Sequence, residues 1–129
     1  MTVVYDAGVL VAADRNDRRV WAEHRVRLEL GIVPLTTAPV VGQVSRSPRQ
    51  AQLRRFIRGC EIAGFGADDA HRVGSLLAAA GGTDVVDAHV AIVAEQIGAM
   101  VLTSDPVDFG RLATHLDSPV EIRPVRTSM

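Results

Sequence analysis

Apolar positions along the chain fall into short runs that alternate between two spacings. Residues 2–5 form a β-branched and aromatic run that stops at Asp6, which predicts a strand. Residues 9–13 form a short apolar helix candidate. Over 18–30, Val20, Trp21, His24, Leu28 and Val26 recur near helical spacing, and Gly31 closes the segment. A second strand is predicted over 32–36. Thr37 or Ala38 then opens a helix with Pro39 in its first turn. Pro48 starts a helix to about Arg58 whose apolar side is Leu53, Phe56 and Ile57, and a short strand follows at 61–64. Asp68 or Asp69 opens a helix that ends at Gly81-Gly82. Thr83 or Asp84 caps the next, over 85–97, with Gly98 as its stop signal. An apolar strand at 99–103, a helix from Asp105-Pro106 through Leu112 and a strand at 120–122 complete the pattern.

Strands that alternate with helices imply an α/β fold with a mostly parallel sheet covered on both faces. In such sheets the functional crevice lies at the carboxyl ends of the strands. Asp6 follows the first strand and Asp105 follows the apolar strand ending Leu102-Thr103-Ser104, so both fall at that edge. There is no internal repeat, low-complexity tract or linker, and the whole of 1–129 is expected to be one domain.

Composition refines this picture. Apolar residues make up 47% and aromatics only 4%, so the core must be built from Val, Leu, Ile and Ala. No apolar run reaches the length of a membrane span. The start carries an acid at once and no charged leader, which makes the cytoplasm the expected location and a membrane partner unexpected. Cys60 is the one cysteine and is expected to be a small, partly buried hydrophobe. His24, His71, His89 and His115 share no metal-binding spacing and are expected at the surface or satisfied in the core; His89 should face away from Asp87.

Net charge is −1, but the charges are unevenly placed. Every basic residue is arginine. No acid lies between Glu29 and Glu61, where Arg46, Arg49, Arg54, Arg55 and Arg58 fall. Those arginines are suited to RNA phosphates flanking a cleaved bond, or equally to an acidic segment of a protein partner. Val9, Leu10, Val11 and Trp21 offer apolar surface to such a partner, unless the core claims them.

Acids gather elsewhere, at Asp84, Asp87, Asp105 and Asp108. Asp84 and Asp87 are three apart on one helix face, in its first turn, and Asp84 alone reads as the cap. Asp87 lies within the apolar register of Val85, Val86, Ala88, Val90 and Ala91. Asp6, Asp87 and Asp105 come from three separate segments. Carboxylates that converge raise one another's pKa, and a hard divalent cation with oxygen ligands removes the conflict. That chemistry favours metal-assisted hydrolysis of a phosphodiester over proton shuttling on a small molecule.

Three motifs carry a resemblance: Val3-Val4-Tyr5-Asp6-Ala7-Gly8-Val9-Leu10 at the start, Asp87-Ala88-His89-Val90-Ala91 on the penultimate helix, and Leu102-Thr103-Ser104-Asp105-Pro106-Val107-Asp108-Phe109 near the end. In order and spacing across nearly the whole chain, the sequence resembles PIN-domain ribonucleases, and more narrowly the VapC toxins of toxin–antitoxin pairs. The resemblance implies a three-layer α/β/α sandwich, Mg²⁺ or Mn²⁺, cleavage of RNA, a homodimer and a small cognate antitoxin of the VapB kind. It assigns Asp6, Asp87 and Asp105 to catalysis and the metal, adds Asp108 as a further metal-site acid, and gives Thr103 a supporting hydroxyl unless it is a plain strand residue.

One position departs from the pattern. Gln43, in Thr37-Ala38-Pro39-Val40-Val41-Gly42-Gln43-Val44, stands where the family usually has a glutamate. An amide oxygen still ligates metal but brings no charge. The alternative expectation is therefore a catalytically weakened PIN-like module that binds RNA or a partner. A phosphoacceptor receiver domain shares the length and strand-end aspartates, but it requires a lysine that this chain lacks.

Overall fold

The structure is a computed structural model and describes residues 2–128. Met1 and Met129, the ends of the expected domain, lie outside the described residues. The element order is β1 (Val3–Tyr5), α1 (Ala7–Asp14), α2 (Arg18–Glu29), β2 (Leu35–Thr37), α3 (Ala38–Val44), α4 (Ala51–Arg58), β3 (Glu61–Ala63), α5 (Ala67–Ala80), α6 (Val85–Ile97), β4 (Met100–Thr103), α7 (Pro106–Ala113) and β5 (Ile122–Pro124). The five strands form one sheet in the order β3-β2-β1-β4-β5. Every pairing is parallel, more uniform than the mostly parallel sheet the pattern predicts.

β1 explains why the sheet needs cover on both faces. Val3, Val4 and Tyr5 are all fully buried, so alternate side chains find apolar surroundings above and below. Helices α1 to α4 pack on one another around Val9, Leu10, Val40, Leu53 and Phe56. Helices α5 to α7 form a second cluster through Val73, Leu76, Ala88, Ile92 and Leu112. Helix α6 also lies against β1, β2 and β4 and is buried over seven consecutive residues, Ala88 to Ala94.

Several element boundaries move from their predicted places for local reasons. β2 starts at Leu35, after Pro34, which has no N–H to give a ladder. Thr36 and Thr37, fully buried, are held by polar bonds instead: Thr36 Oγ1 donates to the Tyr5 carbonyl at 3.0 Å, and Thr37 Oγ1 accepts from Val40 N at 3.2 Å. Helix α4 starts at Ala51 rather than Pro48, because Gln50 organises the preceding loop. Its Oε1 accepts from Arg46 N and Ser47 N, and its Nε2 donates to Asp14 and to the Val44 carbonyl. β5 is displaced to Ile122–Pro124, and its Pro124 is accommodated on an edge strand.

Helix α2 corrects the predicted apolar face. Val20 and His24 are buried and Trp21 half-buried, but Val26 and Leu28 are exposed. Arg27 holds the inward place near the end of the helix, donating to Tyr5 Oη at 3.2 Å. Val9 and Leu10 are likewise core, at 1% and 0% exposure, so only Val11 and part of Trp21 remain of the apolar surface suggested for a partner. Cys60 is half-buried, donates to the Phe56 carbonyl, and burial pushes its thiol up to about 12, which leaves it unreactive. Among the described residues, no single helix is long and apolar enough to cross a membrane.

Candidate functional site

After β1 the chain winds outward to β2 and β3, then returns to place β4 on the other side of β1. The β1–β4 junction is therefore the point where strand order reverses, and a crevice opens at the carboxyl ends of those two strands. Tyr5 pairs with Leu102, and Asp6 N donates to the Leu102 carbonyl at 3.0 Å. This register places Asp6 at the end of β1 beside the segment that leads from β4 to Asp105.

Asp6 is buried to 5% exposure. Thr103 Oγ1 donates to Asp6 Oδ2 at 2.8 Å and accepts from Asp105 N at 2.9 Å, so one hydroxyl ties the two strand ends together. The other oxygen, Asp6 Oδ1, is buried with no hydrogen-bond partner. Burial raises the Asp6 carboxyl above its ordinary range; the Thr103 hydrogen bond and the adjacent Ala7 backbone oppose this, and the charges of Asp84 and Asp105 add to it. A buried carboxylate oxygen without a donor is costly, and a cation is a natural partner for it.

Helix α6 supplies the next acids. Asp84 is the N-cap and accepts from Asp87 N at 3.0 Å, as its cap reading predicts. Asp87, half-buried, is raised to about 7, first by burial and then by the charges of Asp6, Asp84 and Asp105. Helix α7 brings Asp105 as its N-cap and Asp108 in its first turn. The neighbouring Asp108 carboxylate is the main cause that raises Asp105, and Asp108 also meets Arg111 at 3.8 Å. The helix N-termini soften the repulsion, since each presents positive dipole ends to the acids.

The donors fit a hard divalent cation in type: carboxylate oxygens, one of them buried without a partner. Among the described residues no three His, Cys, Asp or Glu side chains are already close enough to form a ligand cage.

A close approach between elements completes the geometry and was missed in the sequence. A Cβ on Gly8, in the first turn of α1, would lie 2.1 Å from Ser104 Oγ and 2.6 Å from Ser104 Cβ. Only glycine lets the β4–α7 connection rest on α1, which keeps Asp105 beside Asp6. Glycine at that motif position was the available signal, and it has no meaning until Ser104 is known to face it.

The remaining candidates divide. Gln43 is exposed near the end of α3 and makes no hydrogen bond to the acids among the described residues. Arg46 folds back on the Gly42 and Ser45 carbonyls, and Arg55 lies over the Trp21 ring at 4.8 Å and bonds Gln52. Arg49 is exposed, while Arg54 and Arg58 line an apolar groove of about 460 Å³ with Val41, Pro48, Leu53 and Ile57. None of the five arginines forms an ion pair among the described residues. His24 is buried and bonded to Tyr5 Oη, His71 and His115 are exposed, and His89 is fully buried rather than paired with Asp87.

The fold is that of a PIN domain, as the sequence motifs suggest. No family model and no curated protein matches the chain. Solved structures do match it. A chain of the VapBC2 complex of Rickettsia felis, bound to a DNA fragment from its promoter, superposes with a TM-score of 0.72 at 17% identity, covering 98% of this chain and 100% of that one. A chain of a toxin–antitoxin complex from Klebsiella pneumoniae gives 0.66 at 18% identity over 93% of this chain and 99% of that one. FitAcB from Neisseria gonorrhoeae gives 0.61 at 15% identity over 93% and 95%.

Proposed function

We propose that this protein is a metal-dependent endoribonuclease toxin of the VapC type, held by a small antitoxin. The observation that carries the reading is Asp6: a buried carboxylate with one unpartnered oxygen, electrostatically coupled to Asp84, Asp87 and Asp105 at the switch point of the sheet. Asp6, Asp87 and Asp105 would hold Mg²⁺ or Mn²⁺, with Asp108 beside them. The bound cation would supply a hydroxide at neutral pH and stabilise charge on the phosphate. Thr103 orients Asp6 and fixes the backbone of Asp105. Asp87, pushed up to about 7 by burial and the neighbouring acids, would hold a cation in its deprotonated form. Arg49, Arg54 and Arg58 are free to meet flanking phosphates. Neighbours with this fold come from complexes with antitoxins, which supports an antitoxin partner for this chain. A homodimer and a cytoplasmic location belong to the same reading.

A second reading has its own support. Gln43 is exposed and uncharged, and no three-ligand cage is preformed among the described residues. A catalytically weakened module that binds RNA or a partner would have these properties. Cleavage of total cellular RNA with Mn²⁺, Mg²⁺ or EDTA separates the two, beside an Asp6→Ala/Asp105→Ala control. Metal-dependent cutting that vanishes in the control supports the nuclease. No cutting by the parent protein, with Gln43→Glu active, supports the weakened module. Silence of both, together with no calorimetric Mn²⁺ binding, overturns the catalytic reading.

A further inference from the structure

A second feature on the same sheet edge has no role in the carboxylate cluster. β3 ends at Ala63, which pairs with Thr37 at the end of β2. The Gly64-Phe65-Gly66 loop therefore leaves the sheet at the carboxyl-terminal edge that carries Asp6 and Asp105. Phe65 is 38% exposed there, whereas Tyr5, Phe56 and Phe109 are fully buried. A Cβ on Gly64 would meet nothing within 4 Å, so the backbone just before Phe65 borders open space.

Phe65 stands edge-on to the His89 imidazole, with centroids 4.7 Å apart and planes at 70°. His89 lies on α6 two residues beyond Asp87, a rise of about 3 Å along the helix axis. It is fully buried, and neither Nδ1 nor Nε2 has a hydrogen-bond partner. The Gly64 backbone and the Asp69 carboxylate act on it electrostatically but stand outside hydrogen-bonding geometry. A neutral imidazole offers one donor and one acceptor, and folding leaves both unmade here. Packing alone would be served by an apolar side chain at no such cost.

We infer that Phe65 and His89 form a nucleobase site beside the carboxylates: Phe65 stacks one unpaired base of a single-stranded RNA, and His89 hydrogen-bonds the polar edge of that base. Glycines on both sides let the Phe65 ring turn and uncover the imidazole. Stacking on an aromatic ring needs a base that is already unpaired, so the site selects single strands over duplex. A base held there would sit on the same carboxyl-terminal sheet edge as Asp6 and Asp105. The inference rests on the nuclease reading above, and the test keeps the two apart.

The test is equilibrium binding of fluorescein-labelled 12-nucleotide RNAs to the full chain carrying Asp105→Asn, so that no RNA is consumed. Phe65→Ala should weaken single-strand binding about 10-fold, within the range of a lost base stack. Phe65→Trp should restore it, and binding of the matching duplex should be unchanged by either. His89→Phe should keep single-strand affinity within a few-fold but level the preference among homopolymers. Equal affinity of Phe65→Ala and its parent, or equal losses on single strand and duplex, overturns the base site. If the parent binds single strands and the wild-type chain cuts them, that failure belongs to the base site alone. If the parent binds no RNA and the wild-type chain cuts none, the nuclease reading falls with it.

Discussion

Asp6 is poised by a contact that is invisible in a linear motif. Thr103 donates to one of its oxygens and holds Asp105 through the backbone. Replacement by Val keeps the shape of the side chain and removes both bonds. Thr103→Val should destabilise the fold by about 1–3 kcal/mol and weaken Mn²⁺ binding, measured by urea titration and calorimetry. Unchanged Mn²⁺ affinity would remove Thr103 from the site. The Gly8 contact makes a sharper prediction. Gly8→Ala forces Cβ into Ser104 and should cost about 1–3 kcal/mol as an overpacked contact, with at least a 10-fold loss of cleavage. Ser104→Gly removes both clashing atoms, so the double variant should recover most of each loss. A double variant as poor as Gly8→Ala would show that the approach of α1 to the β4–α7 connection does not matter. The places of Asp6 and Asp105 after strands were legible in sequence, because the apolar runs stop there. Gly8 facing Ser104 and Phe65 facing His89 were not legible, since each pair is separated in sequence and meets only through packing.

Elements were predicted best where a local signal marks their ends. Asp84 caps α6, Thr37 caps α3 with Pro39 following, and Gly98 takes the left-handed conformation, φ 68°, that stops α6. Helix α2 was read correctly in extent and wrongly in facing, because Arg27 takes an inward place through Tyr5 while Val26 turns outward. His24 on that helix stacks on Phe56 at 4.0 Å and bonds Tyr5 Oη at 2.9 Å. Burial, helped by the nearby Arg27 charge, lowers its pKa to about 4. The unfolded chain binds this proton near pH 6.5 and the folded chain only near 4. The stability it contributes is therefore complete above about pH 6.5 and is lost as pH falls towards 4. Thermal melts between pH 4.5 and 7.5 should show a steeper acid loss for the parent than for His24→Phe. Parallel profiles would mean that His24 binds its proton equally well in the folded and unfolded chain.

The whole molecule gathers what the chain keeps apart. Arg49, Arg54 and Arg58 form no ion pair among the described residues and lie in a stretch without acids, while Asp6 and Asp105 lie at the switch point of the sheet. Arg54→Glu with Arg58→Glu should weaken RNA binding at low salt. It should also lower the log–log salt slope by about 1–2, as two lost phosphate contacts on a single strand require. Anisotropy titrations from 50 to 300 mM salt measure this, and an unchanged slope would point these arginines at a protein partner instead. The C-terminal segment adds a further long-range tie: Ser128 donates from N and Oγ to Asp17, the N-cap of α2, and Val125 N donates to the Thr103 carbonyl.

The sequence by itself determined the alternation of strands and helices, the helix caps, and the strand-end positions of Asp6 and Asp105, because hydrophobic period and capping chemistry are local. Tertiary structure alone decided the strand order that makes β1 and β4 neighbours, and with it the approach of Asp6 to the segment that carries Asp105. It also decided which face of α2 is inside, which arginines stay free and which atoms remain unpartnered. Each of these depends on groups far apart in the chain brought together by burial, where desolvation and mutual repulsion set the charge states that no spacing rule contains.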